Sequence, residues 1–281
     1  MAGKLYLVAT PIGNLEDMTY RAVRILNEVE LIAAEDTRNS IKLLNHFDIK
    51  TPMTSYHEHN KYEKADELVS FLLEGKNIAE ITDAGTPGIS DPGEVLVSKC
   101  YEAGIEVIPV PGACAAVNAL IASGQPTRRF AFEAFLPTDK KERSKVLEEL
   151  KGETRTIIIY EAPHRLVRTL KELCDALGDR ETTVCRELTK KHETFFKTTL
   201  VKAYGYYNEN EPKGECIIVI RGILFEEVEK ESLSKWEEIS IPEHLKLYMD
   251  KGVDKKEAAK LVAKDRGVSK REIYEYTIDM R

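Results

Sequence analysis

The chain has 281 residues, 42% apolar and 32% charged, with a formal net charge of −7 at neutral pH. That length suits about two compact domains; no run approaches the ~18 consecutive apolar residues of a membrane span, and the acidic balance argues against a general nucleic-acid binder. Five scattered cysteines (Cys100, Cys114, Cys174, Cys185, Cys216) lack CxxC spacing and read as buried reduced thiols, and a strand-like N-terminus without a signal-peptide layout makes a soluble, cytoplasmic protein the expectation.

From residue 4 to about 221, strand-like apolar runs alternate with helix-period segments. The first run is Lys4 to Ala9, followed by a helical segment from Tyr20 to Asn27 and a second strand from Glu30 to Ala34. Strands are then predicted near 54–56, 77–82 and 105–110, with helices at about 60–74 and 94–103 between them. This alternation implies βαβ units and a largely parallel sheet over residues 1–113. A second α/β domain with a mixed sheet is predicted over 114–222. Its strands lie at 129–135, 154–160, 182–187 and 214–220, and a helix runs from His164 to Leu177. The remaining 223–281 reads as an acidic linker and a small helical tail. Residues 222–250 carry eight acidic and three basic side chains, whereas 251–281 carry nine basic and six acidic. Asp254 and Ser269 each precede a Glu by three residues, the capping-box arrangement, so the tail reads as helix, turn, helix. It is expected to touch RNA or to pack on the body or on a second subunit.

Three loops carry the chemical interest. Neither GxGxxG nor GxxxxGK[ST] is present, which removes the main support for dehydrogenase and P-loop readings. Instead the first strand ends in Thr10-Pro-Ile-Gly-Asn-Leu15, and the fourth runs into Asp83-Ala-Gly-Thr-Pro-Gly-Ile-Ser-Asp-Pro-Gly93. Glycines there permit close backbone approach to a ligand while the prolines stiffen the loop. Asp91 or Ser90 is the expected N-cap of the next helix, with Pro92 at its first position. A third strand-to-helix turn, Val110-Pro-Gly-Ala-Cys-Ala-Ala116, completes the set. Ligands of open α/β sheets sit outside the strands' carboxyl ends, where these loops converge.

These segments, with Ala33-Ala-Glu-Asp-Thr-Arg38, Tyr160-Glu-Ala-Pro-His-Arg165, Arg186-Glu-Leu-Thr-Lys190 and Lys213-Gly-Glu215, make seven motifs in order. Together they resemble the tetrapyrrole methylase superfamily and, within it, the branch that modifies ribosomal RNA. The resemblance implies two α/β domains of the class III methyltransferase type, a homodimer, and S-adenosylmethionine in a cleft between the domains. It implies 2′-O-methylation of a cytidine ribose in the 16S ribosomal RNA of the 30S subunit. Carried over by motif, cofactor contacts fall on Pro11, Asp83, Gly85, Thr86, Pro87, Ile89, Gly112, Cys114 and Ala115. From the second domain they fall on Tyr160, Leu188, Gly214, Glu215 and Cys216. Thr10-Pro-Ile-Gly13 departs from the glycine-rich first loop of tetrapyrrole-modifying relatives, which favours the RNA branch. A small-molecule methylase of the same fold and a non-catalytic ribosome-assembly factor are the alternatives.

Methyl transfer to a hydroxyl is helped by positioning, and by a base or cation near the developing alkoxide. Candidates are Glu161, His164, Arg165, Arg186, Glu187 and Lys190, with Glu35, Asp36 and Arg38 at the first domain's rim. RNA phosphates would meet Arg38, Arg128, Arg129, Lys140, Lys141 and Arg143. Phe130, Phe132 and Phe135 read as core on an alternating strand. His57 and His59 are two apart, which would point them the same way on a strand, but they lack the further ligands of a metal site, so no catalytic metal is expected.

Overall fold

A computed structural model of the chain describes residues 1–224, 236 and 239–278. Most of the acidic linker expected from residue 223 lies outside them. The chain divides into two compact units, one made of Met1–Leu147 and Thr156–Arg221, the other of Glu148–Arg155 and Gly222–Arg281.

The first unit holds two sheets. Strands β1 (Lys4–Val8), β2 (Leu31–Ala34), β3 (Met53–Ser55), β4 (Ile78–Ile81) and β5 (Glu106–Val110) pair in the order β3-β2-β4-β1-β5. All four pairings are parallel. Helices α1 (Tyr20–Glu28), α2 (Thr37–His46), α3 (Lys61–Leu73) and α4 (Gly93–Glu102) cover it. The two-residue period decides which face each side chain meets. Val8, Ile32, Ala34, Ala79 and Ile81 pack with Ile25, Leu26 and Leu44, from α1 and α2. Leu5, Ala33 and Ile78 pack with Leu68, Leu72 and Leu96, from α3 and α4. Each such leucine or isoleucine contributes ~1.5–3 kcal/mol by leaving water, and burial on both faces explains why these strands read as unbroken apolar runs. Thr19 and Asp36 cap α1 and α2 by accepting from the amides of Ala22 and Arg38. Helix α2 buries only Ser40 and Leu44, a stripe too narrow to read as a helix from sequence. Strand β3 ends at Ser55, and Asn60 accepts from the His57 amide as the chain turns into α3.

The second sheet joins β6 (Phe130–Phe135), β7 (Thr156–Glu161), β8 (Glu181–Arg186), β9 (Thr194–Thr199) and β10 (Cys216–Ile220) in the order β6-β7-β10-β8-β9. Only β6 and β7 are parallel. The helices here are α5 (Ala115–Ser123), α6 (Lys140–Leu150), α7 (Pro163–Leu177) and α8 (Leu200–Glu209). Ala119 and Leu120 of α5 pack on Ile158, Cys185, Ile217 and Val219. Strand β6 is an edge, and its register slips between Phe132 and Phe135, with Ala134 at φ 49°. The expected in–out alternation is therefore lost: Phe132 is half-buried, but Phe130 and Phe135 are exposed and not core. Edge strand β9, mostly exposed, and α8 have no counterpart among the predicted elements.

The second unit is a small helical body. Helices α9 (Ile241–Met249), α10 (Lys255–Asp265) and α11 (Lys270–Ile278) share a core of Leu245, Ala258, Ala259, Val262, Ala263 and Ile273. Asp254 caps α10 by accepting from Lys256 and Glu257, and Ser269 accepts from Glu272 at the start of α11. The reciprocal capping box, however, is at Ser240 and Glu243. Helices this short need such caps and tertiary packing to persist.

Candidate active site

The loops after β1, β4 and β5 are tied together by backbone. Thr10 and Gly85 exchange two hydrogen bonds, Thr10 N–H to Gly85 O at 2.8 Å and Gly85 N–H to Thr10 O at 3.1 Å. Gly85 sits at φ 90°, and a β-carbon there would lie 3.2 Å from Ile12, so glycine is what lets the two loops meet. Thr86 donates its hydroxyl to Ala113 O at 3.0 Å, joining the second loop to the third. Asp91 curls the second loop by accepting from the amides of Gly88, Ile89 and Gly93. The expected cap is thereby corrected by one residue. Pro92 is the N-cap of α4 and Gly93 its first residue, while Asp91 faces back into the loop.

Beside these loops, within the first unit, lies a cavity of about 350 Å³. Ile12, Ala84, Gly85, Thr86, Ile89, Cys114 and Ala115 form one wall. Phe135, Tyr160, Glu161, Ala162, Pro163, Leu188, Glu215, Cys216 and Ile217 form the rest. A largely apolar concavity with a few convergent polar groups is the usual form of a small-molecule site. Of the residues carried over for the cofactor, nine line it: Gly85, Thr86, Ile89, Cys114, Ala115, Tyr160, Leu188, Glu215 and Cys216. Pro11, Asp83, Pro87, Gly112 and Gly214 are not among the lining residues. Ile12, Ala84, Phe135, Ala162, Pro163 and Ile217 were not among the expected contacts. Phe135 owes its place to the slipped register of β6, which no spacing announces.

Tyr160 is the polar centre of the apolar wall. Its oxygen accepts from the Ala116 amide at 2.9 Å, which leaves its O–H free to donate. Its ring meets those of Phe132 and Phe135 edge-on, and burial pushes the phenol up to about 12. It is therefore a neutral donor at physiological pH.

The charged groups divide into two sets. Glu161 is fully buried and accepts from Thr169 Oγ1 at 2.5 Å and from the Ala162 amide at 2.9 Å, with Arg165 3.3 Å away. Arg143, expected among the RNA contacts, closes this network instead. It is 4% exposed, donates to Glu172 at 2.5 Å and to Thr169 at 2.7 Å, and also reaches Pro137 O. Taking that guanidinium out to a phosphate would break its bonds to Glu172 and Thr169 within a buried ion network.

The second set stands at the rim. Lys190 Nζ bridges Glu187 Oε1 at 3.1 Å and Glu215 Oε2 at 2.9 Å. Burial opposes the Lys190 charge, but hydrogen bonds to Glu215 and Glu187 outweigh it and hold the ammonium above its ordinary value. Glu187 is likewise resisted by burial, yet the Glu215 amide and Lys190 bring it below the usual carboxylate range. Glu187 and Thr189 occupy the left-handed region at φ 51° and 65°, flanking Leu188 on the cavity wall. Non-glycine residues held that way cost ~1–3 kcal/mol each and concentrate at functional sites. Arg186 instead donates twice to Lys213 O, and His164 is exposed at the start of α7. Glu35 accepts from Thr82 Oγ1, and Arg38 pairs with Asp36, which falls to about 2. Arg128, Arg129, Lys140 and Lys141 are all exposed.

The Glu161 carboxylate is fully buried in its own network, so the lining offers one accessible carboxylate, Glu215, and no Lys, Arg or His. That set suits a ligand that is cationic at its centre and apolar along its length, and it does not suit a polycarboxylate.

A family model described as tetrapyrrole (corrin/porphyrin) methylases matches residues 4–203. A protein of Halalkalibacterium halodurans named ribosomal RNA small subunit methyltransferase I is 53% identical over 272 residues, covering 97% of this chain and 93% of that protein. One of the same name from Synechocystis sp. is 50% identical over 279 residues, covering 99% of this chain and 98% of its own. Among solved structures, a uroporphyrin-III C-methyltransferase from Thermus thermophilus superposes with a TM-score of 0.55 at 21% identity, over 77% of this chain and 94% of that one. The last likeness speaks for the fold.

Proposed function

Since the chain belongs to the tetrapyrrole methylase family, we propose that it binds S-adenosylmethionine in the cavity and methylates the 2′-hydroxyl of a cytidine in small-subunit ribosomal RNA. The near-full-length similarity to proteins named for that RNA carries the substrate class. The cavity's donor set supports the cofactor, because a sulfonium is a cation and Glu215 is the accessible charged group of the lining. When bound, that cofactor supplies an electrophilic methyl group. The same donor set weighs against a porphyrinoid substrate in this cavity, since such molecules carry several carboxylates of their own. A homodimer, a cytoplasmic location and the 30S particle as partner belong to the same reading. Among the described residues no helix is long and apolar enough to cross a membrane.

The chain's own residues divide the work. Gly85, Thr86 and the start of α5 hold the ligand by backbone, and Tyr160 orients it through its free O–H. Phe135, Leu188 and Ile12 exclude water, which strengthens every charge interaction inside. Glu215 is the exposed carboxylate of the lining, with its side chain 74% accessible and only Oε2 held by Lys190. Its other oxygen is free to take the proton of an acceptor hydroxyl, with Lys190 and Glu187 as positioning residues. General-base help of this kind is worth about 10²–10⁴-fold. Glu215→Gln is therefore expected to lower kcat by about that factor while leaving the affinity for S-adenosylhomocysteine, read by calorimetry, within threefold. Unchanged turnover would remove Glu215 from the chemistry. The proposal as a whole is tested by incubating labelled S-adenosylmethionine with unmodified 30S subunits and counting label in the RNA. Label in protein or solvent alone would defeat it.

A further inference from the structure

A lysine row runs along the solvent face of α10. Lys256, Lys260 and Lys264 are all exposed, while Ala258, Ala259, Val262 and Ala263 bury the opposite face. Four residues of helix rise about 6 Å, so the row places three ammonium groups along ~12 Å. Lys270 and Arg271 continue it as exposed residues in the first turn of α11.

Among the described residues, several acids of this unit are engaged elsewhere. Asp254 accepts the amides of Lys256 and Glu257, Asp265 accepts the Tyr248 hydroxyl, and Glu272 bonds Ser269. Glu257 pairs with Lys260 at 2.6 Å. Among the described residues, the side chains of Lys256, Lys264, Lys270 and Arg271 have no ion-pair partner. A cationic face on a chain of net charge −7 is a local feature against the global balance. The family match ends at residue 203, ahead of α9, α10 and α11, and the cavity lies in the other unit.

We propose that the Lys256–Lys260–Lys264 row, with Lys270 and Arg271, is an RNA-docking face that binds the sugar-phosphate backbone of the RNA the enzyme methylates. The inference rests on the RNA reading given above. Phosphate contact requires cations on flexible stems and carries no demand for base readout. An acidic protein partner would be expected to meet a desolvated apolar or aromatic anchor at the patch centre; Lys256, Lys260 and Lys264 themselves carry none, and the exposed Tyr274 lies one turn beyond Lys270 and Arg271 on α11.

The test uses the full chain and a small-subunit ribosomal RNA transcript, with affinity measured across a salt series. Replacing Lys256, Lys260 and Lys264 together by Gln is expected to weaken binding at least tenfold at low salt. It should also flatten the slope of log affinity against log salt by about 2–3, at ~0.7–0.9 per lost phosphate contact. The triple Lys→Arg variant should keep both, because the charge is what is read, and affinity for S-adenosylhomocysteine should not move in either. An unchanged slope, equal losses in the Gln and Arg variants, or a wild-type chain that does not bind the transcript would overturn the docking face. So would lysine-dependent binding to polyglutamate without any effect on RNA. If the wild type labels RNA but the slope is unchanged, the docking face alone fails. If the slope falls but no methyl group reaches RNA, the methylation reading alone fails.

Discussion

Gly214 shows how little room the cavity rim leaves. It sits at φ 76°, and a β-carbon there would fall 2.2 Å from the Glu187 carboxyl, itself bonded to Lys190 and the Glu215 amide. Gly214→Ala must displace Glu187 and strain the backbone, so a stability loss of about 1–3 kcal/mol is expected in denaturant titration. Turnover should fall along with it, because Lys190 loses one of its two anchors. A variant as stable and as active as wild type would show that the Glu187–Lys190–Glu215 bridge positions nothing. Glu80 is a different kind of residue. It is 3% exposed on β4, with Oε2 unpartnered. Burial, then the nearby Asp91 and Glu35, pushes its carboxyl up to about 8. The folded chain keeps a proton that the unfolded chain releases near 4.5, so stability from this group is lost as pH rises from about 4.5 to about 8. Glu80→Gln should flatten the fall of Tm across that window and melt above wild type at about pH 8.5. Coincident Tm curves for the two proteins would mean that Glu80 ionises as freely when folded as when unfolded.

At the scale of elements, the strand-to-helix loops after β1, β4 and β5 are legible in the sequence because glycine and proline cluster where the apolar runs stop. Gly85, Thr86, Cys114 and Ala115 reach the cavity for that local reason. Phe135 and Arg143 are illegible for the opposite reason, since their surroundings come from distant chain. Phe135 turns into the cavity through a slip against β7, and Arg143 turns inward because Glu161, Thr169 and Glu172 are brought together by the end of β7 and the middle of α7. The three basic residues within Lys140 to Arg143 look alike as a string, yet only Arg143 is buried among them. Arg143→Ala should therefore destabilise the fold by about 3–5 kcal/mol, as expected for one partner lost from a buried ion network. The same change should leave the salt slope of RNA binding where it was. A slope change without a stability change would return Arg143 to the RNA surface. Strand β9 and helix α2 went unread because each buries too little to impose a period on its residues.

At the scale of the molecule, composition and structure pull apart in an informative way. The chain is acidic overall, its cavity lining carries the accessible carboxylate of Glu215 and no Lys, Arg or His, and exposed cations line the solvent face of α10 and stand at Arg128, Arg129, Lys140 and Lys141. A cationic cofactor and a polyanionic substrate would thus be held by different parts of one chain. The most direct test of that account is nucleoside mass spectrometry of 16S RNA after unmodified 30S subunits are incubated with the protein and S-adenosylmethionine. The account predicts a single new 2′-O-methylated cytidine, absent when Glu215→Gln replaces the wild type over the same short incubation. RNA that stays unmethylated while S-adenosylmethionine binds the cavity, or a methyl group found on a base instead of a ribose, would contradict it.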